Sequence, residues 1–184
     1  MAEITLSSGS QCRPFRSPWG AFPIRTFRAI STATIAVGRM LTLNWTGSTS
    51  VSQVLPAAAS SHYYGVGIAA SSFTFVSSAV AGGDVSVWEC NPNVEFRAYT
   101  RGAALASSIV GFRRQILWDS TLGITLVDLA GSTGADWRVI VTGLIGIEGD
   151  TGGEVSFRFI SRLGENNGSS VVVTSTTPVL AFFG

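Results

Sequence analysis

At 184 residues the chain has the length of one domain, long enough to bury most of its surface without a cysteine scaffold. Its 46% hydrophobic and 12% charged residues exclude a disordered chain, which needs the opposite balance. No run approaches the ~18 unbroken apolar residues of a transmembrane helix, so the composition points to a protein much of whose surface other subunits cover.

All twelve basic residues are arginine, and lysine is absent. Residues 1–83 carry five arginines against Glu3, whereas residues 84–184 carry seven against ten acids. A front half this mildly basic excludes a nucleic-acid footprint. Arginine's planar fork suits interface pairing with carboxylates, which favours protein contacts.

Residues 1–30 read as an extended arm, with 31–184 as a separate β-rich domain. Pro14, Pro18 and Pro23 block a helix and remove ladder donors. Between and around them stand Arg13, Phe15, Arg16, Trp19, Phe22, Arg25, Phe27 and Arg28, residue types that a solvated linker does not carry. The arm either packs on its own domain or lies in a groove on a partner. The second option makes those eight residues the candidate binding set.

Strand signals come next. Ile35-Ala36-Val37, Met40 to Trp45, Phe73-Thr74-Phe75, Val85 to Trp88, Val94 to Tyr99, Ile124 to Val127, Trp137 to Val141 and Val155 to Phe159 are short β-branched or alternating runs. Asn91-Pro92-Asn93 and Glu148 to Gly153 are turns, 164–170 is a polar loop, and Val171-Val172-Val173 opens one more strand before Leu180 to Phe183. Leu105, Ile109, Phe112 and Ile116 fall at helical spacing, which predicts one short helix despite Gly111. The fold class is therefore all-β, a compact sandwich or barrel of short antiparallel strands with a proline-rich N-terminal arm. Residues 82–87 (Gly-Gly-Asp-Val-Ser-Val) and 152–157 (Gly-Gly-Glu-Val-Ser-Phe) agree at four of six places. Shared hairpin-turn chemistry accounts for that likeness without a duplicated unit.

Chemistry has few candidates. His62 is the single histidine, and pairing it with Ser120 and Asp119 or Asp128 is arbitrary in so serine-rich a chain. Gly65-Val66-Gly67-Ile68-Ala69-Ala70 matches a dinucleotide fingerprint, but Ser71 to Val76 reads as strand where that fingerprint needs a helix N-terminus. Glu148, Asp150 and Glu154 lack the alternating spacing of an EF-hand loop, and Asp128 and Asp136 flank a polar loop at Gly131 to Gly134. Cys12 and Cys90 match no metal spacing and are expected as thiols in the cytoplasm of synthesis, where Asn44-Trp45-Thr46 and Asn167-Gly168-Ser169 stay unglycosylated. No cofactor, metal, nucleic acid or membrane is called for.

The stretch from Tyr64 to Arg162 resembles the capsid decoration (cement) proteins of tailed bacteriophages. The likeness is carried by Val85 to Glu89 with Asn91 to Ala98, Trp118 to Leu122, Val127 to Leu129, Asp136 to Gly143 and Gly149 to Phe159. It implies a non-enzymatic structural protein, a homotrimer on the outer capsid surface whose partner is the major capsid protein. A tail or spike component is the nearest alternative. A sugar-binding β-sandwich using Trp45, Trp88 or Trp118 as stacking platforms is the alternative from another class.

Overall fold

The computed structural model describes residue 4 and residues 11–29, 34–44, 53–56, 65–74, 83–130 and 139–160. Their strands are β1 (Arg13–Arg16), β2 (Ile24–Ala29), β3 (Met40–Asn44), β4 (Gln53–Pro56), β5 (Gly65–Ala69) and β6 (Asp84–Glu89), then β7 (Glu95–Arg101), β8 (Arg113–Asp119), β9 (Ile124–Asp128), β10 (Val139–Leu144) and β11 (Glu154–Phe159). Trp45, His62, Phe75, the 131–138 segment with Asp136 and Trp137, and everything from 161 on lie outside the described residues.

The all-β expectation holds, as two rings. The order β2-β4-β3-β5-β6 closes into a five-stranded barrel. The order β7-β11-β10-β8-β9 closes likewise through a β7–β9 pairing, with β1 added on β7. Each ring has one parallel contact, β2 with β4 and β7 with β9, and every other ladder is antiparallel. Closure shortens the free edges that a short open sheet would leave for aggregation, β4 pairing with β2 at Arg28 and Ala29 and β9 with β7 at Thr100 and Arg101.

The two rings agree to the residue. Pairing Val85 with Val155 makes β6 correspond to β11, and the ladders carry that correspondence round each ring. Phe27↔Val85 matches Ala98↔Val155, and Ala29↔Val54 matches Thr100↔Val127. Leu43↔Val54 matches Ile116↔Val127, Leu41↔Gly67 matches Arg114↔Val139, and Ile68↔Trp88 matches Ile140↔Arg158. Going round either way gives the same partner for every strand, at an offset of roughly seventy residues. The echo at 82–87 and 152–157 therefore marks the same strand in both rings. Turn chemistry alone does not account for that placement.

Loop details repeat too. The Gly38 N–H donates to the Ala69 carbonyl (2.8 Å) and the Ala69 N–H to that of Arg39 (2.8 Å). Gly111, Val141 and Phe112 make the same pair of bonds at 2.8 and 3.1 Å. Both are Val-Gly turns whose glycines have φ of +81° and +85°, a region closed to most side chains. A Cβ on Gly38 would also stand 3.1 Å from Gln11 Cβ and 3.2 Å from the Cys12 carbonyl. Gly38→Ala is thus expected to cost about 1–2 kcal/mol in urea unfolding, combining dihedral strain with crowding.

Their interiors differ. The first barrel encloses Phe27, Ala29, Ile35, Leu41, Val54, Val66, Ala69, Val85 and Val87. The second holds Phe96, Phe157 and Phe159 together, with Phe96 and Phe159 edge to face at 5.1 Å. The first barrel has Arg25 and Glu89 at the positions of Phe96 and Phe159, joined as an ion pair at 2.7 Å. Outside the first barrel the cross-strand row Met40–Ile68–Trp88 packs into the second barrel's cluster with Cys12, Cys90 and Phe22. The matching outer row of the second barrel is Arg113–Ile140–Arg158–Glu95, closed by an Arg158–Glu95 pair at 3.0 Å. One copy of this face is thus an apolar seam and the other a partly buried row of paired charges.

Four expectations need correction. Residues 11–29 are extended, as their prolines require, but they are woven in: β1 lies on β7, and β2 is a stave of the first barrel. Pro14 is tolerated because β1 is an edge strand, and Pro23 precedes β2. The boundary at residue 30 therefore cuts a ring between β2 and β3. The expected helix is a 3₁₀ turn, Ser107–Ile109, stopped by Gly111 and followed by β8. Leu105, Ile109 and Ile116 are all buried, so a turn and a strand imitated helical spacing by facing one core. The fingerprint glycines Gly65 and Gly67 lie in β5, and the expected strand after them is, over the described Ser71 to Thr74, a bend with one isolated bridge from Phe73 to Ile35; a Cβ on Gly67 would strike the Trp88 carbonyl.

Candidate interaction surface

The candidate residues divide by the period-two alternation of strands. Phe27 is in the first barrel's core and Phe22 packs against the shared cluster, so neither is available to a partner. On β1, Arg13 and Arg16 are exposed and Phe15 is half-buried. The Arg16 guanidinium lies 4.8 Å from the Phe15 ring centroid and that of Arg97 lies 5.8 Å away, so two cations hold one ring in place. Arg97 is paired in turn with Glu154 at 3.4 Å, whose carboxyl burial pushes above the usual carboxylate range against the pull of Arg97.

Between β1 and β2 the chain reverses in a turn that Ser17 ties. Its hydroxyl donates to the Ala21 carbonyl (2.6 Å) and accepts from the Trp19 N–H (3.3 Å), while Gly20 takes φ +71°. Trp19 is left at the tip, 58% exposed, and Ile24 at the start of β2 is exposed to the same degree. Arg25 and Arg28 are exposed along β2, Arg25 on Glu89 and Arg28 across the ladder from Asp84. Two large apolar side chains in water within one short segment, framed by arginine, make up the composition of an interface centre. Sequence reasoning missed Ile24 and Arg97. Ile24 had a signal, since it alternates with Arg25 on a strand whose buried positions are Phe27 and Ala29.

Other candidates resolve into local structure. Asp119 Oδ1 accepts from the Thr121 and Leu122 N–H groups (2.9 and 3.0 Å) and Asp128 Oδ1 from Ala130 (3.0 Å), both turn-forming roles. Glu148 accepts from the Ser107 N–H at 2.7 Å, which holds its carboxyl below the usual range. Among the described residues no three of His, Cys, Asp and Glu gather as a metal site. Cys12 and Cys90 are buried thiols, and burial, aided by Glu154, pushes the Cys12 pKa far upward. Trp118 has its face covered by the Arg39 guanidinium at 4.4 Å, and Trp88 lies half-buried in the seam, so neither is a bare stacking platform.

No family model, curated protein or solved structure matches the chain.

Proposed function

We propose that the protein is a structural capsid decoration protein of a tailed phage, binding the outside of the head through β1, the Ser17–Pro23 turn and the start of β2. The observation that carries this reading is the joint exposure, 58% each, of Trp19 on the turn that Ser17 ties between two sheet strands and Ile24 at the start of β2. An anchored aromatic loses little entropy on docking, and central Trp contacts are worth ~2 kcal/mol or more. Arg13, Arg16, Arg25 and Arg28 form a rim that suits capsid carboxylates, and the resemblance adds the outer-surface location and a homotrimer. Binding only to the assembled shell would brace it by mass action.

The test is sedimentation with heads prepared from the encoding phage and stripped of this protein. Trp19→Ala with Ile24→Ser is expected to weaken retention about 30-fold while shifting the unfolding midpoint little, since both side chains are more than half exposed. Retention equal to the unaltered chain would sink the proposal. A monomer by light scattering both in solution and when released from heads would remove the trimer.

A further inference from the structure

The register match between the barrels shows an edge that one fills and the other, among the described residues, leaves open. On β7 the Thr100 N–H donates to Gly153, so Phe96, Ala98 and Thr100 turn their backbone groups toward β11. Glu95 and Arg97 turn theirs to the opposite edge, where β9 pairs with Thr100–Arg101 and β1 runs antiparallel along Glu95–Arg97. On β2 the Ala29 N–H donates to Gly83, the equivalent bond, and β4 pairs with Arg28–Ala29 as β9 does with its partner pair. The place that β1 fills corresponds on β2 to Ile24, Arg25 and Thr26. Among the described residues no strand pairs there on that edge, and all three are exposed.

We propose that this edge takes an added strand, an extended segment of the capsid subunit running antiparallel to β2, with the backbone of Ile24 and Thr26 in the roles of Glu95 and Arg97. The partner's identity rests on the function proposed above, and the open edge does not. β1 gives the template, with Arg16 opposite Glu95 and Arg13 opposite Arg97. On β2 these positions are Ile24 and Thr26, so the incoming strand carries an apolar residue where β1 carries Arg16, and needs no charge where β1 carries Arg13. Main-chain bonding then supplies affinity while Ile24 selects the side chain opposite it.

Amide exchange of the full chain tests the edge directly. In free protein the Ile24 and Thr26 amides are expected to exchange at least ~100-fold faster than those of Glu95 and Arg97, and a peptide spanning 23–27 should become protected on stripped heads. Thr26→Pro removes one outward N–H without touching the β6 ladder and should cut head retention at least ~10-fold. Should Thr26→Pro disturb folding, protection of the 23–27 peptide on stripped heads decides alone, and Thr26→Ala should bind normally. Protection of both amides in dilute free protein would mean that the chain closes its own edge, which overturns the proposal. Protection rising with protein concentration would make a second copy the occupant and equally overturn it. Normal retention by folded Thr26→Pro, or an unprotected 23–27 peptide on retained protein, with loss by the Trp19→Ala and Ile24→Ser double variant, would remove strand addition and keep the surface. No retention of the unaltered chain, with both amides still fast, would instead remove the capsid as partner.

Discussion

Deletion of residues 1–28 is expected to abolish folding rather than release a trimmed domain. The cut removes β1 and all of β2 except Ala29, and β2 is the stave that joins β4 to β6. Without it the first barrel opens, leaving two bare edges and a core lacking Phe27, while the shared cluster loses Cys12 and Phe22. Losing one buried aromatic of this kind costs about 3–5 kcal/mol, and a whole domain is stable by only about 5–15 kcal/mol. The truncated chain should enter the insoluble fraction, or elute as aggregate without near-ultraviolet dichroism. A soluble species with the intact protein's dichroism would show that the N-terminal segment is dispensable for the fold.

Phe157→Ala is expected to be the most damaging single substitution in the second barrel. Phe157 has no exposed surface, with Phe96 stacked at 5.9 Å and Phe159 edge-on at 5.7 Å. Truncation loses the burial of the ring, leaves a cavity flanked by two rigid rings and breaks both aromatic contacts, about 3–5 kcal/mol in all. Phe157→Leu, which refills most of the volume, should lose only about 1.5 kcal/mol. Urea unfolding followed by tryptophan fluorescence separates the two. A loss below about 1 kcal/mol for the alanine variant would mean that the ring cluster is not closely packed.

Sequence patterns showed what they physically encode. The segments of β3, β6, β7, β9, β10 and β11 were visible because β-branched, aromatic and alternating residues mark strands even where, as in β9, Ile124 to Val127 are all buried, and Asn91 to Asn93 because its residues form turns, here with Asn91 Oδ1 accepting from the Asn93 N–H. β1 was hidden by Pro14, which an edge strand tolerates, and β8 by the spacing of Leu105, Ile109 and Ile116 around one core. Ring closure could not be read at all. The β2–β4 and β7–β9 contacts are parallel and join strands distant in the chain, so no local pattern reports them. At the surface, composition alone could not separate Trp19 from Phe22 and Phe27. All three are large aromatics near arginine, and only the local geometry of turn and strand sends two inward.

The seam between the barrels also bears on the order of events during synthesis. The first ring lies wholly within residues 24–89 and can close as soon as Glu89 has emerged from the ribosome. β1 cannot dock yet, because its ladder partner among the described residues, β7, begins at Glu95. For the time needed to make and fold the rest, roughly several seconds at ~5–20 residues per second, Met40, Ile68 and Trp88 present an uncovered apolar stripe beside an unpaired strand. The nascent chain therefore passes through a sticky half-built stage, and a holdase that shields that stripe would set the yield of folded protein.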